Sequence, residues 1–164
     1  MIIKINPPII EYSKKMQNLC RVPYYGHSNG CPNFGKKQGC PPREKLINEF
    51  LDFKKDLYLI YTEFEVGKFA EKMKSMHPEW ANFPRQLYNP RRWQPTARKK
   101  HSLDIIDFFS AYPRTIVDSS PEAHGVDVNA LMKSVGVELN WTWPPEHNLE
   151  NKVYLISLGG YAIK

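Results

Sequence analysis

The sequence predicts an α/β fold with a single mixed sheet of about four strands, flanking helices and a loop rich in cysteine, glycine and proline. Segments with helical spacing of apolar residues alternate with short runs of β-branched and aromatic residues. The chain has 164 residues, of which 41% are hydrophobic and 24% charged, as expected of one domain with its own core. We therefore expect residues 1–164 to form a single domain.

Periodicity and turn residues predict the elements of the first half of the chain. Leu46, Ile47, Phe50 and Leu51 recur at helical spacing, and a proline pair suits the first turn of the helix that contains them. The predicted elements are, in order, a strand at residues 1–5, one or two helical turns over residues 8–18, a helix over residues 44–55, a central strand at residues 57–66 and a helix over residues 68–77.

The second half begins with residues 82–97, a proline- and arginine-rich stretch without clear period that predicts a long ordered loop. Ser102 is then expected to cap a helix that Pro113 terminates. The remaining predicted elements are a short strand at residues 115–118, a turn at residues 119–125, a helix over residues 128–135 between Asp127 and Gly136, and two strands at residues 137–143 and 152–158 joined as a hairpin.

Cysteine usage and hydropathy predict the compartment. The opening residues MIIKINPPIIEY lack the apolar core of a signal peptide, and no apolar run approaches the length of a membrane span. An odd number of cysteines without a secretion signal argues against a disulfide framework. We therefore expect a cytoplasmic protein without membrane contact, whose cysteines serve metal binding or catalysis.

Positive charge is concentrated in two segments that contain no acidic residue, residues 12–43 and residues 80–103, with six Lys or Arg each. The net charge of the whole chain is +6, so the remainder is net negative. Either segment alone is typical of a solvated charged face, whereas the two together favour an anionic partner: a small molecule, a nucleotide or RNA. Either Trp93 stacks on a base or it packs beneath its segment. The candidate contacts are Lys36, Lys37, Arg91, Arg92, Trp93, Arg98, Lys99 and Lys100.

The three cysteines, Cys20, Cys31 and Cys40, all lie in one stretch with four intervening glycines and several prolines. Such a backbone can wrap around a small group while the sulfurs converge on it. Zinc would take the three thiolates plus His27, whereas a [4Fe–4S] cluster would take the thiolates alone and leave one iron open. Because the spacing lacks the Cys-x₂-Cys pair common in structural zinc sites, it favours the cluster.

Several short motifs carry a family resemblance. The stretches CRVP from Cys20, CPNFG from Cys31 and CPP from Cys40 resemble the signature of a small archaeal and bacterial family of predicted metal-binding proteins, domain of unknown function 2284. Residues 119–136, SSPEAHGVDVNALMKSVG, are similar to its Ser-x-Glu-Ala-x-Gly-Ile-Asp-Val block. The resemblance implies metal or iron–sulfur binding through the three cysteines, and it supplies no reaction.

Glu122 and His124 are the candidate catalytic residues, since both can move protons and precede a predicted helix. The alternative is that this segment only turns and caps the backbone. The leading hypothesis is a [4Fe–4S] protein whose open iron binds substrate, with sulfur chemistry on a nucleotide or RNA as its specific form. The alternatives are a zinc-stapled RNA-binding module without catalysis and a carrier of metal or clusters.

Overall fold

The computed structural model describes residues 1–24 and 26–163. Its sheet has four strands in the order β1–β2–β4–β3, and helices flank it, so the predicted α/β class is confirmed. Every strand pairing is antiparallel, which corrects the expectation of a mixed sheet. The strands are β1 (Ile2–Ile5), β2 (Leu57–Phe64), β3 (Ile116–Asp118) and β4 (Val153–Gly160), and the α-helices are α1 (Lys14–Asn18), α2 (Val66–Met76), α3 (Pro84–Leu87), α4 (Pro90–Ala111) and α5 (Val128–Ser134).

Most predicted elements of regular period are confirmed, with ends shifted by one or two residues. The side chain of Asp127 caps α5 by accepting hydrogen bonds from the backbone N–H groups of Asn129 and Ala130, both at 3.0 Å. Gly136 follows the helix with a φ of +80°, as a C-terminal glycine does. The helical turns predicted over residues 8–18 correspond to the 3₁₀ turn Pro7–Ile9 and α1, and further 3₁₀ turns are Leu19–Arg21, Ile47–Glu49, Pro78–Trp80 and Pro121–His124.

The predicted hairpin of residues 137–143 with β4 is wrong. β4 pairs with β2 over eight residues, from Val153 opposite Phe64 to Gly160 opposite Leu57. β3 occupies the other edge of β4. Residues 137–143 adopt neither strand nor helix, and β4 pairs with β2 and, at residues 158–160, with β3 instead.

The long loop predicted for residues 82–97 is also wrong, because α4 begins at Pro90 and continues to Ala111. Asn89 caps it by accepting a hydrogen bond from the Arg91 N–H at 3.1 Å. Ser102 lies inside this helix and donates its hydroxyl to Arg98 O at 2.9 Å, so it is not an N-cap. The helix is stabilised by burial of Trp93, Ala97, His101 and Phe108, which recur at helical spacing along its inner face.

The helix predicted over residues 44–55 is reduced to the 3₁₀ turn Ile47–Glu49. This segment instead bonds to the chain that follows β4: Asp52 N donates to Tyr161 O at 2.8 Å, and Ile163 N donates to Phe50 O at 3.0 Å. These bonds occupy backbone groups that a continuous helix would need for itself.

The two faces of the sheet bury different sets of side chains. On one face Leu57, Leu59 and Leu158 pack with Leu131 and Met132 of α5. On the other face Tyr58 and Ile60 pack with Phe108 of α4. Because successive side chains of β2 point to opposite faces, one face of the sheet packs against α4 and the other against α5 and the N-terminal segments. No helix among the described residues is both long and apolar enough to cross a membrane.

A chain of buried hydrogen bonds links α4 to the sheet. The Thr62 hydroxyl donates to the carboxylate of Asp104 and accepts from Nδ1–H of His101, 2.7 Å away. In the neutral imidazole, His101 Nε2 accepts a hydrogen bond from the Ser157 hydroxyl at 2.8 Å. Protonation of Nε2 would reverse this bond, because the charged ring can only donate and the Ser157 hydroxyl would have to accept.

We expect His101 to make the fold sensitive to acid. Burial lowers the pKa of His101 despite the opposing charge of Asp104, so the unfolded chain binds a proton at a pH where the folded chain does not. The free energy of unfolding should therefore decrease as the pH falls below about 6.5, by at most about 1.4 kcal/mol per pH unit from this residue. Urea denaturation at several pH values measures it. His101→Asn should flatten the profile below pH ~6.5, and an unchanged slope would contradict the account.

Candidate metal centre

The first two cysteines are brought side by side by the backbone. Cys20 lies in the 3₁₀ turn after α1, and the N–H of Cys31 donates to Cys20 O at 2.7 Å. Gly30 permits this approach: its φ is +76°, and a Cβ there would lie 2.6 Å from the carbonyl carbon of Arg21. A larger residue at position 30 would separate the two cysteines.

The third cysteine follows a second turn of the same loop. Cys40 N donates to Lys37 O at 3.2 Å, and Gly35 N donates to Pro41 O at 2.7 Å, so the chain folds back on itself around Cys40. Gly39 N donates to Oε1 of Glu44 at 2.9 Å. The end of the cysteine loop (residues 20–40) is therefore attached to the side chain of Glu44.

The two other cysteines act on the electrostatics of Cys20. Burial raises the pKa of Cys20, and the negative charges of Cys31, Glu122 and Cys40 raise it further. No disulfide joins the three cysteines, and each is partly buried. Tyr24 lies beside Cys20 and Cys31. Burial raises the pKa of Tyr24, and the charges of Cys31 and Cys20 and a hydrogen bond to Cys31 raise it further.

The turn at residues 121–125, the PEAHG turn, docks beside this loop. Nε2 of the buried Gln17 donates both to Ala123 O at 2.9 Å and to Glu44 O at 3.0 Å. Gly125 packs on α1, where an added Cβ would lie 2.6 Å from Ser13 O. Gln17 thereby joins α1, the PEAHG turn and the segment that follows the cysteine loop.

His124 lies between two carboxylates. Its Nδ1 is 2.9 Å from Oδ2 of the buried Asp118, and its Nε2 is 3.5 Å from Oε2 of Glu44. Burial lowers the pKa of His124, but Asp118 and Glu44 outweigh that effect and raise it overall. Because Glu44 also accepts from Gly39 N, it links His124 to the loop that carries Cys40.

Glu122 is the residue of the PEAHG turn whose charge acts on the cysteine loop. Its side chain reaches solvent, yet the protein packed around the carboxyl raises its pKa, as does the nearby charge of Asp118. Its charge also acts on Cys20. The fold thus brings together two groups of residues that the sequence singles out separately, the cysteines and the pair Glu122 and His124.

Three residues of this arrangement are missing from the sequence prediction: Gln17, Glu44 and Asp118. Glu44 had a faint signal, since it is the first acidic residue after the acid-free segment at residues 12–43. Asp118 precedes the motif SSPEAHG directly. Nothing in the sequence marks Gln17, whose role depends on contacts with residues far along the chain.

The three cysteines are not arranged as a metal site. Across residues 1–24 and 26–163, no three or more His, Cys, Asp or Glu side chains are grouped so as to hold one metal ion. The ring of His27 packs against Tyr24 with 4.8 Å between centroids.

A concave surface of about 740 Å³ adjoins Cys31. Arg21 and Lys36 line it, and the guanidinium of Arg21 lies 5.9 Å from the ring centroid of Phe34. Two cations beside a thiol suit an anionic ligand. The remaining lining residues are Gly26, His27, Ser28, Asn29, Gly30 and Pro32.

The second basic segment lies elsewhere, on α4 across the sheet from the packing of α5. Trp93 is only 7% exposed and donates its indole N–H to Tyr88 O at 3.1 Å, so its ring packs in the core and is not presented to a base. Of the two interpretations of Trp93, packing beneath the segment is the one observed. The cationic side chains on this helix are Arg91, Arg92, Arg98, Lys99 and Lys100.

Comparison with known proteins adds no assignment. No family model, no curated protein and no solved structure matches the chain. The function is therefore argued from the residues of the site.

We expect the two carboxylates to control the protonation of His124. Because its folded pKa is raised, the contact contributes stability that is complete below about pH 6.5 and is lost as the pH rises through the folded value. In an NMR titration, the midpoint of His124 should fall in Asp118→Asn and in Glu44→Ala. Glu79→Gln is the matched control. It removes a carboxylate that contacts His77, so the midpoint of His124 should not change. An unchanged His124 midpoint in both test variants would show that the carboxylates do not act on it.

Proposed function

We propose that the chain is a metal-binding protein in which Cys20, Cys31 and Cys40 bind a [4Fe–4S] cluster through three of its irons. The observation that carries the proposal is the 2.7 Å hydrogen bond from Cys31 N to Cys20 O, because it keeps two ligands adjacent. The raised pKa of Cys20, to which burial contributes most and the charges of Cys31 and Cys40 contribute further, supports it.

The choice of a cluster over zinc rests on the spacing of the cysteines along the chain. It lacks the Cys-x₂-Cys pair that is common in structural zinc sites. Lys36 and Lys37 in the same loop would offset the negative charge that thiolates and sulfides bring. A cluster held by three thiolates supplies an iron with an open position that can act as a Lewis acid.

The substrate class that best suits this site is a small anionic molecule. Arg21 and Lys36 line the concave surface beside Cys31, and they would attract and orient a phosphate or carboxylate. Glu122 can hold a proton because its pKa is raised, and His124 is held in place by Asp118. Acid–base assistance from these two side chains is the part of the proposal that makes the protein an enzyme.

We expect each of Cys20→Ser, Cys31→Ser and Cys40→Ser to lose iron and acid-labile sulfide. The full chain is purified without oxygen, and its iron, sulfide and zinc are measured together with an absorption spectrum. The wild-type protein should contain about four irons and four sulfides. A hydroxyl replaces a thiolate poorly as a ligand, so the content should fall severalfold in each variant.

The variant His27→Ala distinguishes a [4Fe–4S] cluster from a zinc ion. In the cluster account His27 is not a ligand, and the variant should retain its iron and sulfide. In the zinc account it is the fourth ligand, so the variant should lose zinc. A wild-type protein with one zinc and no sulfide, or with no metal, would refute the proposal.

A further inference from the structure

The outer face of α4 exposes apolar side chains to solvent. Leu103, Ile106 and Phe109 are 57%, 58% and 42% exposed, although the opposite face of the helix is buried against the sheet. A surface helix ordinarily presents polar residues outward, and a contiguous apolar stripe marks a contact surface.

Two opposite charges flank Leu103 at equal spacing. Lys99 lies four residues before Leu103 and Asp107 four residues after it, so all three lie on one line of the helix. Both charged side chains are exposed. Within residues 1–24 and 26–163 neither has an ion-pair partner.

Lys99 and Asp107 cannot satisfy each other within the helix. Eight residues separate them, which is about 12 Å along the axis, and Leu103 lies between. Each is about 6 Å from Leu103, on opposite sides. If a second α4 helix runs in the opposite direction with its Leu103 at the same height, each Lys99 therefore lies opposite an Asp107.

We propose that this face binds the same face of a second copy of the chain, with the two α4 helices antiparallel about a twofold axis at Leu103. The reversal places Lys99 opposite the partner's Asp107 and Asp107 opposite the partner's Lys99. The two Leu103 side chains meet at the centre, and Ile106 and Phe109 of each copy lie over the part of the partner helix that precedes its Leu103, against the apolar stems of its basic side chains. A parallel pair would instead place like charges together.

The other occupant to consider is a polyanion, which the cations nearer the start of α4 would attract. Arg91 and Arg98 are exposed there. A polyanion gains nothing from Leu103, Ile106 and Phe109, and Asp107 would repel it. The exposed apolar side chains therefore favour the second copy.

Sedimentation equilibrium of the full chain over a range of concentrations tests the proposal. The wild-type protein should show a concentration-dependent dimer, and Leu103→Asp should be monomeric. Leu149→Asp is the matched control, since Leu149 is 52% exposed outside α4 and its substitution should leave the dimer intact. Circular dichroism checks that each variant is folded. A wild-type monomer throughout, with or without binding of RNA, would overturn the proposal.

Charge reversal tests the antiparallel geometry. K99D or D107K alone places like charges at both symmetric contacts and should weaken dimerisation about tenfold. The double variant K99D/D107K restores both attractions with exchanged signs, so its affinity should return towards that of the wild type. A double variant as weak as the single ones would exclude this pairing.

Discussion

The eight-residue pairing of β2 with β4 is the constraint on which the rest of the molecule depends. It occupies the centre of the sheet, from Leu57 opposite Gly160 to Phe64 opposite Val153, and gives the sheet two distinct faces. One face receives α4, whose Phe108 ring packs where Gly159 has no side chain. The other receives α5 and the segments next to α1, which support the cysteine loop. The proposed chemistry and the proposed self-association therefore use opposite sides of one sheet.

Hydrogen bonds of Glu44 and Gln17 attach the cysteine loop to the rest of the fold. Glu44 accepts from Gly39 with one carboxylate oxygen and approaches His124 with the other, while Gln17 bonds to both Glu44 and Ala123. These contacts join the cysteine loop to the PEAHG turn, and so to β3 through Asp118. In the proposed metal site the ligands would lie on the cysteine loop and the acid–base groups on the PEAHG turn beside it.

The parts of this structure that the sequence predicts are those determined by local pattern. The strands rich in β-branched residues, the cap Asp127 and the grouping of cysteines are all local signals. The start of α4 is hidden by its arginines and by Pro95, because only the burial of widely spaced side chains reveals its period. Residues 137–143 have the composition of a strand, but the long partner of β4 is β2, which lies far from it in the sequence. The roles of Gln17, Glu44 and Asp118 depend on contacts between distant parts of the chain, which local pattern does not encode.

The central claim is that three thiolates of one loop hold an iron–sulfur cluster. Anomalous diffraction at the iron edge, from crystals of the full chain grown without oxygen, tests it most directly. The account predicts a compact group of iron peaks bonded to the sulfurs of Cys20, Cys31 and Cys40, with one iron free of protein ligands. Absence of iron at these sulfurs, or a single peak at the zinc edge with His27 as a ligand, would contradict it.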